Sequence, residues 1–202
     1  MFKDSHLQFP LHFTFKISTL ASDFIVTNSR NEEVSYVRQK LFKLKESVQV
    51  YKNQQKTEVL YNINANKWID FNTTYTISKP NGNVIGTVAR KGMRSIWKAT
   101  YAILDTNKKT LFTIEEDNAW VKFWDGLVSE IPLVGMFTGY FLNPSYSVKN
   151  AQGKVYYQLK KQPSFWGRRF VLEKINEVDS SEVESLIVNG LMMMVLMEKN
   201  RG

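Results

Sequence analysis

From Leu11 to Ile114 the chain alternates between apolar and polar residues with a period of two. "HFTFKI" sets Phe13, Phe15 and Ile17 against His12, Thr14 and Lys16. "SIWKATYAILD" puts Trp97, Ala99, Tyr101 and Ile103 on one face; the other is mixed, with Lys98 and Thr100 between Ile96 and Ala102. Successive side chains leave opposite faces of an extended chain, so this period predicts strands. They fall at 11–17, 23–27, 37–44, 48–52, 57–63, 68–78, 84–90, 95–104 and 109–114. Polar turns separate them. "KPNGN" (79–83) carries Asn81-Gly82, a hairpin signal because both residues tolerate positive φ, and "DTNKK" (105–109) makes a second turn. After Pro144 the alternation returns in "YSVKN", "VYYQLKK" and "RRFVLEKI", where Val155, Tyr157 and Leu159 alternate with Tyr156, Gln158 and Lys160. About twelve strands at this spacing predict an all-β barrel or sandwich.

Two segments depart from that rhythm. In 118–144, Trp120, Trp124, Leu127, Val128 and Ile131 recur at helical spacing, which predicts an extra amphipathic helix near 118–131 ending or kinking at Pro132. Such a helix either covers an end or edge of the barrel or dips its aromatic stripe into a bilayer interface. The first is the expectation, since amphipathic helices usually face their own core. The second segment is "SLIVNGLMMMVLMEKN" (185–200). Asp179, Ser180 and Ser181 offer N-caps, and Glu182 and Glu184 are spaced for capping boxes. From Leu186 to Met197 it is apolar on every side apart from Asn189 and Gly190. Twelve residues of helix reach about 18 Å, against roughly 30 Å of hydrocarbon, so the run is too short to span a bilayer. A helix apolar all round must be buried all round, and the unbranched Met192, Met193 and Met194 can fill an irregular cavity. The expected fold is therefore mainly β: a closed barrel of about twelve strands enclosing a hydrophobic C-terminal helix, one domain over 1–202 with no linker.

Three stretches carry a family resemblance: "RQKLFKLKESVQVY" (38–51), "YTISKPNGNVIGTVARKG" (75–92) followed by "WKATYAILD", and the terminal "VLEKINEVDSSEVESLIVNGLMMMVLME". Together they resemble the tubby C-terminal-like superfamily, which includes the LURP-one-related proteins, the phospholipid scramblases and tubby. The first is similar to the opening "QKLF-L" strand of bacterial LURP-one-like proteins. The resemblance implies a twelve-stranded barrel around a central helix and a binding module tied to lipids or membranes in some branches. Two departures limit it. The cysteine cluster of scramblases is absent, and "EED" (115–117) lacks the spaced carboxylates and glycine of an EF-hand, so calcium-driven scrambling is not expected. Tubby's basic lipid-binding residues do not map onto particular positions here, and 118–144 matches no motif of the family.

Composition narrows the chemistry. With 202 residues, 43% of them hydrophobic, the chain can bury a proper core. The absence of cysteine removes disulfides, thiolate metal sites, a cysteine nucleophile and thiol lipidation, and fits a reducing cytoplasm. His6 and His12 are the only histidines, so no metal site is expected. GxGxxG, Walker A, GxSxG and HExxH motifs are all missing, which points away from an enzyme and from a cofactor. At the N-terminus, Asp4 and Lys16 interrupt what would otherwise resemble a cleavable leader.

The net charge of +8 favours anionic partners. Two basic clusters stand out: Arg90, Lys91 and Arg94 around Gly92, and Lys160, Lys161, Arg168 and Arg169 flanking Phe165 and Trp166. Cations beside aromatics suit an anionic membrane surface, and equally a single-stranded nucleic acid. The plainer reading of the second cluster is a solvated turn with Trp166 folded onto the barrel rim. Lys40, Lys43 and Lys45 read as the outer face of a strand. The expected function is a non-enzymatic, cytoplasmic module, peripheral at a membrane, that binds anionic phospholipid or phosphoinositide. The alternative is a soluble protein- or nucleic-acid-interaction module of the same fold.

Overall fold

The structure, a computed structural model, describes residues 7–16, 22–42, 45–66, 74–90, 100–117, 144–163 and 169–199. Within them lie β1 (Leu11–Phe15), β2 (Phe24–Thr27), β3 (Glu33–Phe42), β4 (Lys45–Tyr51), β5 (Val59–Ala65) and β6 (Thr74–Ser78). They continue with β7 (Val84–Arg90), β8 (Thr100–Leu104), β9 (Thr110–Glu116), β10 (Ser145–Lys149), β11 (Val155–Gln162) and β12 (Arg169–Lys174). One helix, α1 (Ser181–Lys199), follows. Each strand pairs antiparallel with its neighbours in sequence, and β1 pairs with β12, Leu11 opposite Leu172 and Thr14 opposite Arg169, to close the barrel. Closure leaves no strand edge unpaired, which removes the template for edge-to-edge aggregation.

The twelve strands match the twelve alternating runs one for one. Inward positions are the apolar ones: Phe13, Val26, Val37, Val50, Tyr61, Ile77, Val88, Ile103, Ile114, Val148, Leu159 and Leu172 are all fully buried. β3 starts at Glu33, earlier than its alternation predicts. The reason is that Val34, Ser35, Tyr36 and Val37 are all buried, so both faces of the strand are covered and the period of two is locally erased.

α1 runs through the middle. Every residue from Leu186 to Leu196 is buried, on all sides of the helix, so the barrel wall surrounds it. Its 19 residues give about 28 Å of helix, enough to thread the barrel from end to end. The helix and the wall approach each other closely at two glycines. A Cβ on Gly86 of β7 would lie 2.5 Å from the Leu104 carbonyl oxygen and 2.6 Å from a Leu186 methyl; one on Gly190 of α1 would lie 3.1 Å from Val88. The interior is not wholly apolar. Asn189 donates Nδ2–H to the Ser185 carbonyl at 2.8 Å, while Ser35 Oγ, Gln39 Oε1, Ser185 Oγ and Asn189 Oδ1 are buried without a hydrogen bond.

The helix start differs from the sequence reading in one respect. Ser180 is the N-cap: its Oγ accepts from Val183 N–H at 3.3 Å and its carbonyl from Glu184 N–H at 3.0 Å. The third helical position is therefore Val183, and no capping box forms. Glu182 and Glu184 serve other partners: Glu182 pairs with Lys79 at 3.0 Å, and Glu184 turns to Tyr157 and Lys174.

The two ends of the barrel are built differently. At the end where α1 enters, here the turn end, the connections 28–32, 52–58, 79–83, 105–109 and 150–154 follow one plan. Each contains an i→i+3 turn capped by a residue at positive φ: Asn31, Lys56, Gly82, Lys108 and Gly153. The register shifts by one residue beside each of the five. In four of them this is the three-residue hairpin with a G1-type bulge, and the 52–58 loop is the same design lengthened by two residues. An Asx oxygen locks each loop, as when Asp105 Oδ1 accepts the N–H groups of Asn107 and Lys109, and Asn150 Oδ1 those of Gln152 and Lys154. "KPNGN" thus makes the expected hairpin with only Gly82 at positive φ, because a bulge takes up the extra residue. The other connections leave from the opposite, distal end. The amphipathic helix expected near 118–131 lies outside the described residues.

Candidate functional site

The strand directions bring the described members of the two basic clusters, Arg90 on one side and Lys160, Lys161 and Arg169 on the other, to the same end of the molecule. β7 finishes at Arg90, β11 finishes at Gln162 just beyond Lys160 and Lys161, and β12 begins at Arg169. All three termini are at the distal end. Lys91, Arg94, Trp166 and Arg168 lie outside the described residues, in the connections that follow β7 and β11.

Register separates the four described cations into two kinds. Arg90 pairs with Tyr101, and Lys161 with Phe170; both partners are buried and point inward. Arg90 and Lys161 therefore occupy inward-facing positions at the rim, and both are half-buried. They stand four strands apart in a barrel of twelve, about a third of the circumference. α1 runs toward this rim, since Leu186 meets Gly86 and Gly190 meets Val88, two residues further along β7. Its C-terminal carbonyls carry partial negative charge, so inward cations here also complement the helix dipole. Lys160 and Arg169 face outward. Lys160 is tied to Glu173 at 2.8 Å, and Arg169 stands exposed beside Thr14.

The acidic run 115–117 is structural. Asp117 accepts hydrogen bonds from Ser145 Oγ, Ser147 Oγ and Gln158 Nε2 at 2.9, 2.7 and 3.3 Å, and Glu115 pairs with Lys149 at 3.4 Å. Among the described residues no group of three or more histidine, aspartate and glutamate side chains could hold a metal ion.

Two polar clusters have no signature in the sequence. At the turn end, Glu184 accepts from the Tyr157 hydroxyl at 2.6 Å and pairs with Lys174 at 2.8 Å, while Lys174 also reaches Glu177. The Lys174 ammonium lies 5.6 Å from the centre of the Phe9 ring, which packs on Tyr157. Burial, then its bond to Glu184, pushes the Tyr157 phenol far above the usual tyrosine range. Burial would lower Lys174, but its bonds to Glu177 and Glu184 outweigh that and raise it. This cluster bolts the start of the helix to the wall. On the outer wall, Tyr36 donates to the buried Asp23 and is pushed up to about 12, by burial first and that hydrogen bond second. The ammonium groups of Lys16 and Lys56 lie 5.2 and 5.9 Å from the centre of its ring.

Comparison with protein families adds the decisive observation: the LURP-one-related model matches residues 14–131, more than half of the chain. The chain belongs to the LURP-one-related family. A tubby-like barrel with a central helix is consistent with that membership. The matched stretch runs from β1 past β9; in this LURP-one-related chain the last three strands and α1 complete the barrel. No curated protein and no solved structure matches the chain. Among the described residues no helix is long and apolar enough to cross a membrane.

Proposed function

We propose that this LURP-one-related protein is a non-enzymatic binding module that attaches peripherally to anionic lipid headgroups, phospholipid or phosphoinositide, through the distal end of its barrel. One observation supports this most. Arg90, from one basic cluster, and Lys161 and Arg169, from another some seventy residues later, stand at ends of strands on the same rim. The barrel and its enclosed helix act as a rigid scaffold that presents the connections between strands, the usual place for binding residues. Each cation close to an anionic surface contributes about 1 kcal/mol, so three or four give measurable attachment that salt weakens.

Liposome co-sedimentation tests the proposal, using neutral, phosphatidylserine and phosphoinositide vesicles at low and physiological salt. The expected result is binding to anionic vesicles only, weakened by salt and lost in the Arg168→Glu/Arg169→Glu variant. Absence of binding to any vesicle would overturn the membrane reading and leave a protein- or nucleic-acid-interaction module with the same scaffold.

A further inference from the structure

The Tyr36 cluster lies on the outer wall, with Lys16 and Asp23 at the distal ends of β1 and β2 and Lys56 in a loop of the turn end. Its parts come from four places in the chain. Lys16 follows β1, Asp23 precedes β2, Tyr36 and Arg38 sit on β3, and Lys56 caps the β4–β5 turn at positive φ. Register explains the meeting. Lys16 N–H bonds to the Asp23 carbonyl at 2.9 Å, Ile25 pairs with Tyr36, and Tyr36 with Tyr51. Two places along β3, Arg38 leaves the same outer face, close enough for its charge to act on the Tyr36 phenol.

Several described lysines are paired with carboxylates, as in Lys52–Glu58, Lys79–Glu182, Lys149–Glu115 and Lys160–Glu173. Among the described residues Lys16, Arg38 and Lys56 form no ion pair, and the carboxylate at the centre of the cluster, Asp23, is engaged by the Tyr36 hydroxyl. Tyr36 is only 4% exposed and Asp23 2%, so the platform beneath the ammonium groups is fixed. Asp23 offsets one of the three positive charges, which leaves the patch with two. Like charges held around one ring repel, and an oxyanion between them relieves the repulsion while accepting their N–H donors.

We propose that Lys16, Arg38 and Lys56, arranged around Tyr36, form a binding site for a phosphate monoester. A monoester carries roughly −1.5 to −2 charges near neutral pH, which matches the two uncompensated charges of the patch. Ammonium groups over an aromatic face keep a favourable contact while their remaining N–H bonds stay free for the ligand. The site uses no residue of the two basic clusters, so the two proposals fail separately.

The test is an amide NMR titration of the full chain with glycerol 3-phosphate, with glycerol as the neutral control, and a parallel binding assay on vesicles containing phosphatidic acid. The Lys16→Gln/Lys56→Asn variant removes two charges and keeps, in asparagine, a residue that tolerates the left-handed turn position. A cooperative thermal transition establishes that this double variant is folded. The expected result is saturable shifts at Lys16, Tyr36, Arg38 and Lys56 with glycerol 3-phosphate, and at least tenfold weaker binding in the variant. Arg90→Gln, on β7 across the barrel from β1, should leave those shifts unchanged. Vesicle binding that the same variant abolishes identifies the ligand as a headgroup; binding of the soluble ester alone identifies it as a free metabolite phosphate. No saturable shift with the ester and no vesicle binding, or binding undiminished in the variant, overturns the site.

Discussion

The two ends of this barrel solve different problems. At the turn end, five connections repeat one short design, and four of the five span five residues. At the distal end the connections range from two residues between β3 and β4 to 28 between β9 and β10. Short locked turns fix register, and in a closed barrel a slip of one residue would turn an entire strand inside out. The five bulges therefore determine which side chains enter the core. The distal end is relieved of that duty, because each strand reaching it is already set in register at the other end. It can carry connections of any length, and it carries the described residues of both basic clusters singled out in the sequence. Register is encoded at one end, and binding chemistry is free to accumulate at the other.

The helix joins the two ends, so its removal is the most drastic perturbation. Deleting 180–202 would open to water a lumen lined by Phe13, Tyr61, Tyr101, Tyr157 and the inward valines and isoleucines. Each large apolar side chain left exposed forfeits about 1.5–3 kcal/mol, and a domain's net stability is only about 5–15 kcal/mol. The truncated chain should show no cooperative thermal transition and no near-ultraviolet circular dichroism. A sharp transition in that protein would mean that the wall stands without its helix.

Next in size is the bolt at the turn end. Glu184→Ala leaves Lys174 with only the exposed Glu177 and strips the Tyr157 hydroxyl of its acceptor. Breaking a largely buried pair from one side costs about 3 kcal/mol, read as a lower midpoint in urea. The same cluster sets an alkaline limit. Tyr157 and Tyr36 both hold their protons above the unfolded tyrosine value of 10.0, so their contribution is complete below that pH and is lost as pH rises beyond it. Stability should fall from about pH 10 upward, and Tyr157→Phe should flatten that fall. Equal slopes in the two proteins would show that Tyr157 is not the group responsible.

How much of this could be read from the chain depends on the range over which each feature is encoded. The strands were legible because a closed wall around a dry interior imposes a period of two on every strand. β3 blurred where Val34 and Tyr36 are covered from outside as well. The enclosed helix was legible from its apolar circumference combined with its shortness. The "NGN" hairpin was legible, and the bulge beside it changed only the turn geometry. The spaced glutamates misled: they fit a capping box, but the pull of Lys79, Tyr157 and Lys174 selected a different geometry. The basic clusters could be seen, but not that they share a rim, since that requires strand direction summed over the barrel. The Tyr36 site was invisible: Lys16, Arg38 and Lys56 lie tens of residues apart, and only register brings them together.

A smaller perturbation probes where helix and wall touch. Gly86→Ala would drive a methyl group into the Leu104 carbonyl oxygen, which is backbone and cannot swing aside, and into the Leu186 side chain. Overpacking of this kind costs about 1–3 kcal/mol. Leu186→Ala in the same chain vacates one of the two obstructions and should recover only part of the loss. Full recovery would show that the strand yields while the helix is the rigid partner.

The smallest effect has the opposite sign and tests the division of labour directly. Of the five left-handed turn positions, two hold glycine, one holds asparagine and two hold lysine, Lys56 and Lys108. A residue with a Cβ in that conformation costs roughly 1 kcal/mol, whereas glycine and asparagine adopt it readily. If the turn end existed only to set register, both lysines should be dispensable, and Lys108→Gly and Lys56→Gly should each raise stability by about 0.5–1 kcal/mol. Among the described residues Lys108 makes no ion pair and no ring contact, so its replacement should show the full gain as a higher melting temperature. Lys56 lies over the Tyr36 ring, and its replacement also withdraws a charge from the proposed phosphate site. Lys56→Gly should therefore gain no more stability than Lys108→Gly while weakening glycerol 3-phosphate binding. A gain in both with binding intact would make Lys56 ordinary turn chemistry; a gain that trades against binding would make it the one turn where register and recognition meet.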